Sequence, residues 1–98
     1  MPWTVRVVDY NGKPVGDDVV CDFDVVPVAD EMFPLLGSID EYDDTRFNRL
    51  QLQRFLKEWE QVRERAASLG KGDQWQQIKH LVSTVDEEPL RYLVFIGD

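Results

Sequence analysis

From Trp3 to Tyr10 the chain alternates, with Trp3, Val5 and Val7 facing one way and Thr4, Arg6, Val8 and Tyr10 the other. A period of two is the signature of a strand with one buried face. Asn11-Gly12 follows at once, a dipeptide that marks a hairpin because both residues accept positive φ. A second alternating run covers Asp18 to Val26. Val19, Cys21, Phe23 and Val25 form its apolar face, and Asp18, Asp22 and Asp24, with Val20 and Val26, form the other. Lys13-Pro14-Val15-Gly16 leaves the register between the two strands open, and Pro27 closes the second.

Val28 to Leu36 is apolar but interrupted by Pro34, with Gly37 after it, so a short helical turn or irregular loop is expected. The acidic stretch Gly37 to Asp44 then leads into the longest periodic segment. Leu52, Phe55, Leu56, Trp59, Val62, Ala66 and Leu69 recur at helical spacing and predict a helix over about 46–68, with Thr45 or Asp44 as its N-cap. Gly70 stands where a left-handed C-terminal cap would be. Asp73 can cap a second helix over about 74–85, whose stripe is Trp75, Ile78, Leu81, Val82 and Val85. Asp86-Glu87-Glu88-Pro89 ends it. Leu90 to Ile96 is almost uninterrupted apolar sequence, as in a strand buried on both faces or paired centrally. The fold class is therefore α+β. We expect a small, mainly antiparallel sheet of about three strands, an N-terminal hairpin plus the C-terminal strand, packed against two helices in one domain over 1–98.

Composition narrows the function. The 98 residues carry 19 acidic and 11 basic side chains, a formal net charge of -8. Residues 1–45 hold eleven of the acids and only two cations, Arg6 and Lys13, and so contain all of the excess. Such a balance opposes nucleic-acid and anionic-membrane partners and favours a cationic one. No apolar run reaches the length of a membrane span, and the opening MPWTVRVVDY has no signal-peptide pattern, so a cytoplasmic setting is expected. One cysteine and one histidine exclude an internal disulfide and a Cys/His zinc site.

The candidate chemistry is sparse. Asp40-Glu41-Tyr42-Asp43-Asp44 puts four carboxylates in five positions. They can serve helix capping and solubility, offer a surface to a partner, or hold a hard cation, although the spacing does not match the twelve-residue calcium loop. Arg46 and Arg49 follow directly and can pair with these acids. Cys21 and His80 form the sole conceivable thiol–imidazole pair, yet Cys21 falls on an apolar strand face, where cysteine behaves as a small hydrophobe. Asp22 and Asp24 form one of many close carboxylate pairs that this composition makes unavoidable. No phosphate-binding or nucleophile motif is present, and Gly70-Lys71-Gly72-Asp73 reads as an interhelical loop. Trp59 and Trp75 belong to helical core stripes. Phe33, Tyr42 and Phe47 bracket the acidic loop, either as interface anchors or as pins to the core.

Phe33-Pro34-Leu35-Leu36 and Ile39-Asp40-Glu41-Tyr42-Asp43-Asp44-Thr45-Arg46-Phe47-Asn48-Arg49-Leu50-Gln51, with the terminal Tyr92-Leu93-Val94-Phe95-Ile96-Gly97-Asp98, resemble a pattern of small bacterial proteins, often actinobacterial. The resemblance covers about a quarter of the chain and implies no catalytic residues. In size and charge the chain is also similar to immunity proteins, which cover the basic sites of nuclease toxins. The leading expectation is a non-enzymatic, cytoplasmic binding protein without a cofactor. It would present Asp40, Glu41, Tyr42, Asp43, Asp44, Arg46 and Arg49 to a basic partner protein, with Tyr42 as the buried anchor. The alternatives are a metal-binding enzyme or accessory subunit using Asp40 to Asp44, and a homo-oligomer formed through a strand edge, which Asp22 and Asp24 would guard against.

Overall fold

The alternation at the N-terminus becomes a strand, β1 (Trp3–Val8), in a computed structural model that describes residues 2–97. The hairpin turn follows as expected. Gly12 takes φ +80° and donates its N–H to the Asp9 carbonyl, while the Asp9 carboxylate accepts from the amides of Asn11 and Lys13. Of the Asn-Gly pair only Gly12 needs positive φ.

The returning strand β2 (Pro14–Cys21) lies several residues earlier than the alternation implied. Gly16, at φ +78°, lets it bulge, so that Val15 pairs with Val7 and Val19 with Val5. After Cys21 the backbone leaves the sheet, because the Asp22 amide bonds to the Gln74 side chain, and Phe23–Val25 form a 3-10 turn. The expected outer strand face of Asp18, Asp22 and Asp24 is thus incorrect beyond Asp18. Apolar spacing had continued because Phe23 stays packed, 4.4 Å from the Trp3 ring between centroids.

Four strands form the sheet, in the order β2-β1-β4-β3, where β3 is Thr45–Phe47 and β4 is Tyr92–Ile96. All neighbouring pairs are antiparallel. The terminal apolar run is central, as its continuity predicted. The fourth strand, β3, replaces the expected start of the long helix. Phe47 pairs with Leu93 and is buried, so this short segment gains more as an edge strand than as a helical turn.

Helix α1 (Arg49–Gln61) begins behind Asn48, not Thr45 or Asp44. Asn48 accepts from the Gln51 amide and Gln51 reaches back to the Asn48 amide, a reciprocal capping box. The single predicted helix is broken at Val62, and α2 (Arg63–Ser68) follows with Ala66 still in the core. Gly70 takes the left-handed conformation at its end, φ +73°. Helix α3 (Gly72–Glu87) buries Trp75, Ile78, Leu81, Val82 and Val85, the predicted stripe, and Asp73 sits in its first turn instead of capping it.

The helices cover the sheet face bearing Trp3, Val5, Val7, Leu93 and Phe95, and one cluster of buried residues fills the space between. Trp59 and Trp75 stack at 6.3 Å, and each indole N–H donates to the other's backbone carbonyl, at 3.0 and 2.7 Å. Two polar atoms that burial would otherwise leave unsatisfied are thereby paired. Among the described residues no helix is long and apolar enough to cross a membrane.

Phe95 touches Trp3, Phe47 and Phe55. Phe95→Ala should cost about 3–5 kcal/mol, a large fraction of the roughly 5–15 kcal/mol that holds a domain together. Urea denaturation checks this, with a lowered midpoint and unchanged slope expected.

Candidate functional site

The acidic loop is fixed at both ends by apolar residues. Ile39 and Phe47 are buried, and between them the chain crosses the end of the sheet. Asp40 anchors it. Its carbonyl accepts from the Trp3 indole at 2.8 Å, and its amide donates to the Thr45 hydroxyl at 3.0 Å. Its carboxylate accepts from the amides of Tyr42 at 2.7 Å and Asp43 at 3.2 Å. Asp at the first position of a turn does this because its short side chain reaches the amides just ahead. On the other side the loop backbone lies against Gly97, where an added Cβ would sit 2.5 Å from the Asp43 carbonyl oxygen.

Asp40 is therefore a positioning residue of the loop, its carboxylate Oδ1 shared by two backbone amides and its carbonyl held by the Trp3 indole. Asp43 and Asp44 are exposed and Glu41 is half-buried. Among the described residues none of the three forms an ion pair. Tyr42 is 77% exposed, so its ring is not a core pin. Phe47 is such a pin, and half-buried Phe33 packs against the core. The expected pairing of Arg46 and Arg49 with these acids is absent among the described residues. Arg46 projects from the helix-free sheet face and lies 5.1 Å above the Tyr92 ring. Arg49 reaches Asp86 on α3, at 3.1 Å.

The other acids of the first half do not join this loop. Asp9 closes the hairpin and Asp18 pairs with Arg6 at 2.7 Å on the opposite sheet edge. Asp22 and Asp24 converge on Lys71, at 3.2 and 2.7 Å. The Gln74 amide and then Lys71 hold the Asp22 carboxyl below its ordinary value of 3.8, and the same cluster raises Lys71, chiefly through Asp24. Among the described residues no three of His, Cys, Asp and Glu gather as a metal ion requires.

Cys21 is buried, and burial, reinforced by Asp22 and Asp24, pushes its thiol far up, away from the thiolate that nucleophilic chemistry needs. His80 is exposed on α3. It borders a feature that was not legible in the sequence, an open groove of about 780 Å³ between β2 and α3. Its walls come from segments some sixty residues apart, which no local pattern links. Comparison of the chain with protein-family models, with curated proteins and with solved structures finds no match.

Two outcomes test this geometry. Gly97→Ala should force the loop off the sheet end and cost about 1–3 kcal/mol, visible in a thermal melt and in shifted Tyr42 and Asp43 amide resonances. For Asp22 the sign follows from its lowered pKa. Its contribution is complete above pH 3.8 and is lost as pH falls through the lower folded-state value. The melting-temperature gap between wild type and Asp22→Asn should thus be widest near neutrality and shrink in acid.

Proposed function

We propose that this chain is a non-catalytic binding protein of the bacterial cytoplasm that docks the loop Glu41 to Asp44 onto a basic surface of a partner protein, in the manner of an immunity or inhibitor protein. The observation that carries this reading is Tyr42, an aromatic ring 77% exposed on a loop whose backbone is held from both sides. An amphipathic ring on a preorganised loop loses little conformational freedom on binding, and such residues dominate interface energetics. Glu41, Asp43 and Asp44, with their charge unneutralised by described neighbours, steer a cationic surface toward it.

Asp40 supports the contact without making it, and Arg46 and Arg49 lie outside it because they are engaged with Tyr92 and Asp86. The cation-binding alternative has less support, since the Asp40 carboxylate already accepts two amides. Strand-edge oligomerisation through the terminal strand meets a topological obstacle, because β4 is interior. Asp22 and Asp24 are not the edge guards. On the β2 edge that role falls to Pro14, the bulge and the charges of Asp17 and Asp18.

The test is affinity capture from bacterial lysate with wild type, Tyr42→Ala, and a variant carrying Asp43→Asn and Asp44→Asn, followed by kinetics on the captured protein. Tyr42→Ala should weaken binding by about 2 kcal/mol or more, roughly thirtyfold. The double Asn variant should associate more slowly, with a flatter salt dependence. Unchanged capture by both variants would contradict the proposal.

A further inference from the structure

We propose a second binding surface, the groove between β2 and α3, that takes a short extended segment of a cationic polypeptide in which apolar and basic residues alternate. This inference is independent of the acidic loop, which crosses the end of the sheet beside Trp3 and Gly97 and shares no residue with the groove.

Three observations define the occupant. The first is the floor. Val15, Val19 and Leu81 line the groove, the two valines half-buried against the core and Leu81 6% exposed, so apolar side chains entering from outside meet an apolar surface. The groove is open to solvent and has a volume of about 780 Å³.

The second is the wall. β2 is the edge of the sheet, so the backbone groups on its outer rim have no strand beside them. An extended segment laid along them can bond to the main chain while sending alternate side chains to the floor. Val15 to Val19 spans at most about 13 Å of extended chain, which limits the occupant to about four residues. Pro14 and the bulge at Gly16 interrupt the rim and oppose the long, register-free pairing that leads to aggregation.

The third is the charge. Asp17, Asp18 and Glu87 stand around the groove. Asp17 forms no ion pair among the described residues, Asp18 shares Arg6, and Glu87 lies 3.8 Å from Arg91. Arg91, the one arginine of the lining, is turned back onto the Thr84 carbonyl at 2.8 Å and two glutamates of the α3 end, so it does not reverse the sign. His80, exposed beside Leu81, is the remaining titratable group of the lining. The rim therefore attracts cations over an apolar floor, and an acidic segment meets repulsion.

The experiment titrates isotope-labelled full-length protein with a capped Lys-Val-Lys-Val-Lys-Val peptide, followed by amide resonances at low and moderate salt. A Glu-Val-Glu-Val-Glu-Val peptide serves as the control. Shifts should concentrate on residues 15–20 and 76–84, leave residues 41–44 unmoved, and weaken with salt as exposed charges are screened. The exposed change Asp17→Lys should reduce affinity about fivefold or more with an unchanged melting temperature. Absence of shifts at millimolar peptide, or equal shifts with the acidic peptide, would overturn the groove proposal. So would shifts confined to residues 41–44, and those would at the same time favour the acidic loop.

Discussion

Seven aromatic rings form one continuous chain of contacts through this small protein, from Phe23 to Trp3, Phe95, Phe47 and Phe55, then to Trp59 and Trp75. Every layer depends on it. Trp3 belongs to the first strand, Phe95 to the central one, Phe47 to the edge, and Trp59 and Trp75 to the helices that cover them. A domain of this length buries a modest share of its surface, and large rings give it the most area removed from water per ordered side chain. Edge-to-face contacts and the reciprocal indole-to-carbonyl bonds of Trp59 and Trp75 add direction to what is otherwise non-directional burial.

The same aromatic core builds the surface. Trp3 is fully buried, yet its indole N–H leaves the core to hold the Asp40 carbonyl. One residue therefore ties the position of an exposed acidic loop to the packing of the sheet. Gly97 does the complementary work at the end of β4, where the absence of a side chain lets the loop backbone approach. Tyr42 and its acidic neighbours thus stand on a loop whose backbone the core holds from both sides.

Much of the fold was legible in the sequence because burial imposes periods that survive without tertiary information. β1, the central β4 and the apolar stripes of α1 and α3 all announced themselves in that way. The misreadings share one cause, that apolar spacing reports burial and not backbone path. Phe23 and Val25 keep a strand-like spacing although the chain has already turned into a 3-10 helix. Val62 and Ala66 keep the helical stripe across a break that no glycine or proline marks. Phe47 is buried whether its segment is a strand or a helix, and the better signal was the Asn48 to Gln51 capping box, which fixes the helix start. For the candidate site, exposure of the acids could be read from composition. The locking of Asp40 could not, since its partner Trp3 lies 37 residues away. Nor could the spread of the N-terminal acids, of which Asp9 serves the hairpin turn, Asp18 meets Arg6, and Asp22 and Asp24 share Lys71.

The bonds to Asp40 and the close approach at Gly97 hold the acidic loop in one conformation in the free protein. Backbone amide relaxation at Tyr42 and Asp43 in the free protein tests it most directly. Order parameters near those of the sheet, about 0.85, are expected, with their collapse in a Trp3→Phe variant that keeps an aromatic ring but removes the indole donor. Values below about 0.6 in the wild type would contradict it, because the bonds made by Asp40 would then not fix the loop.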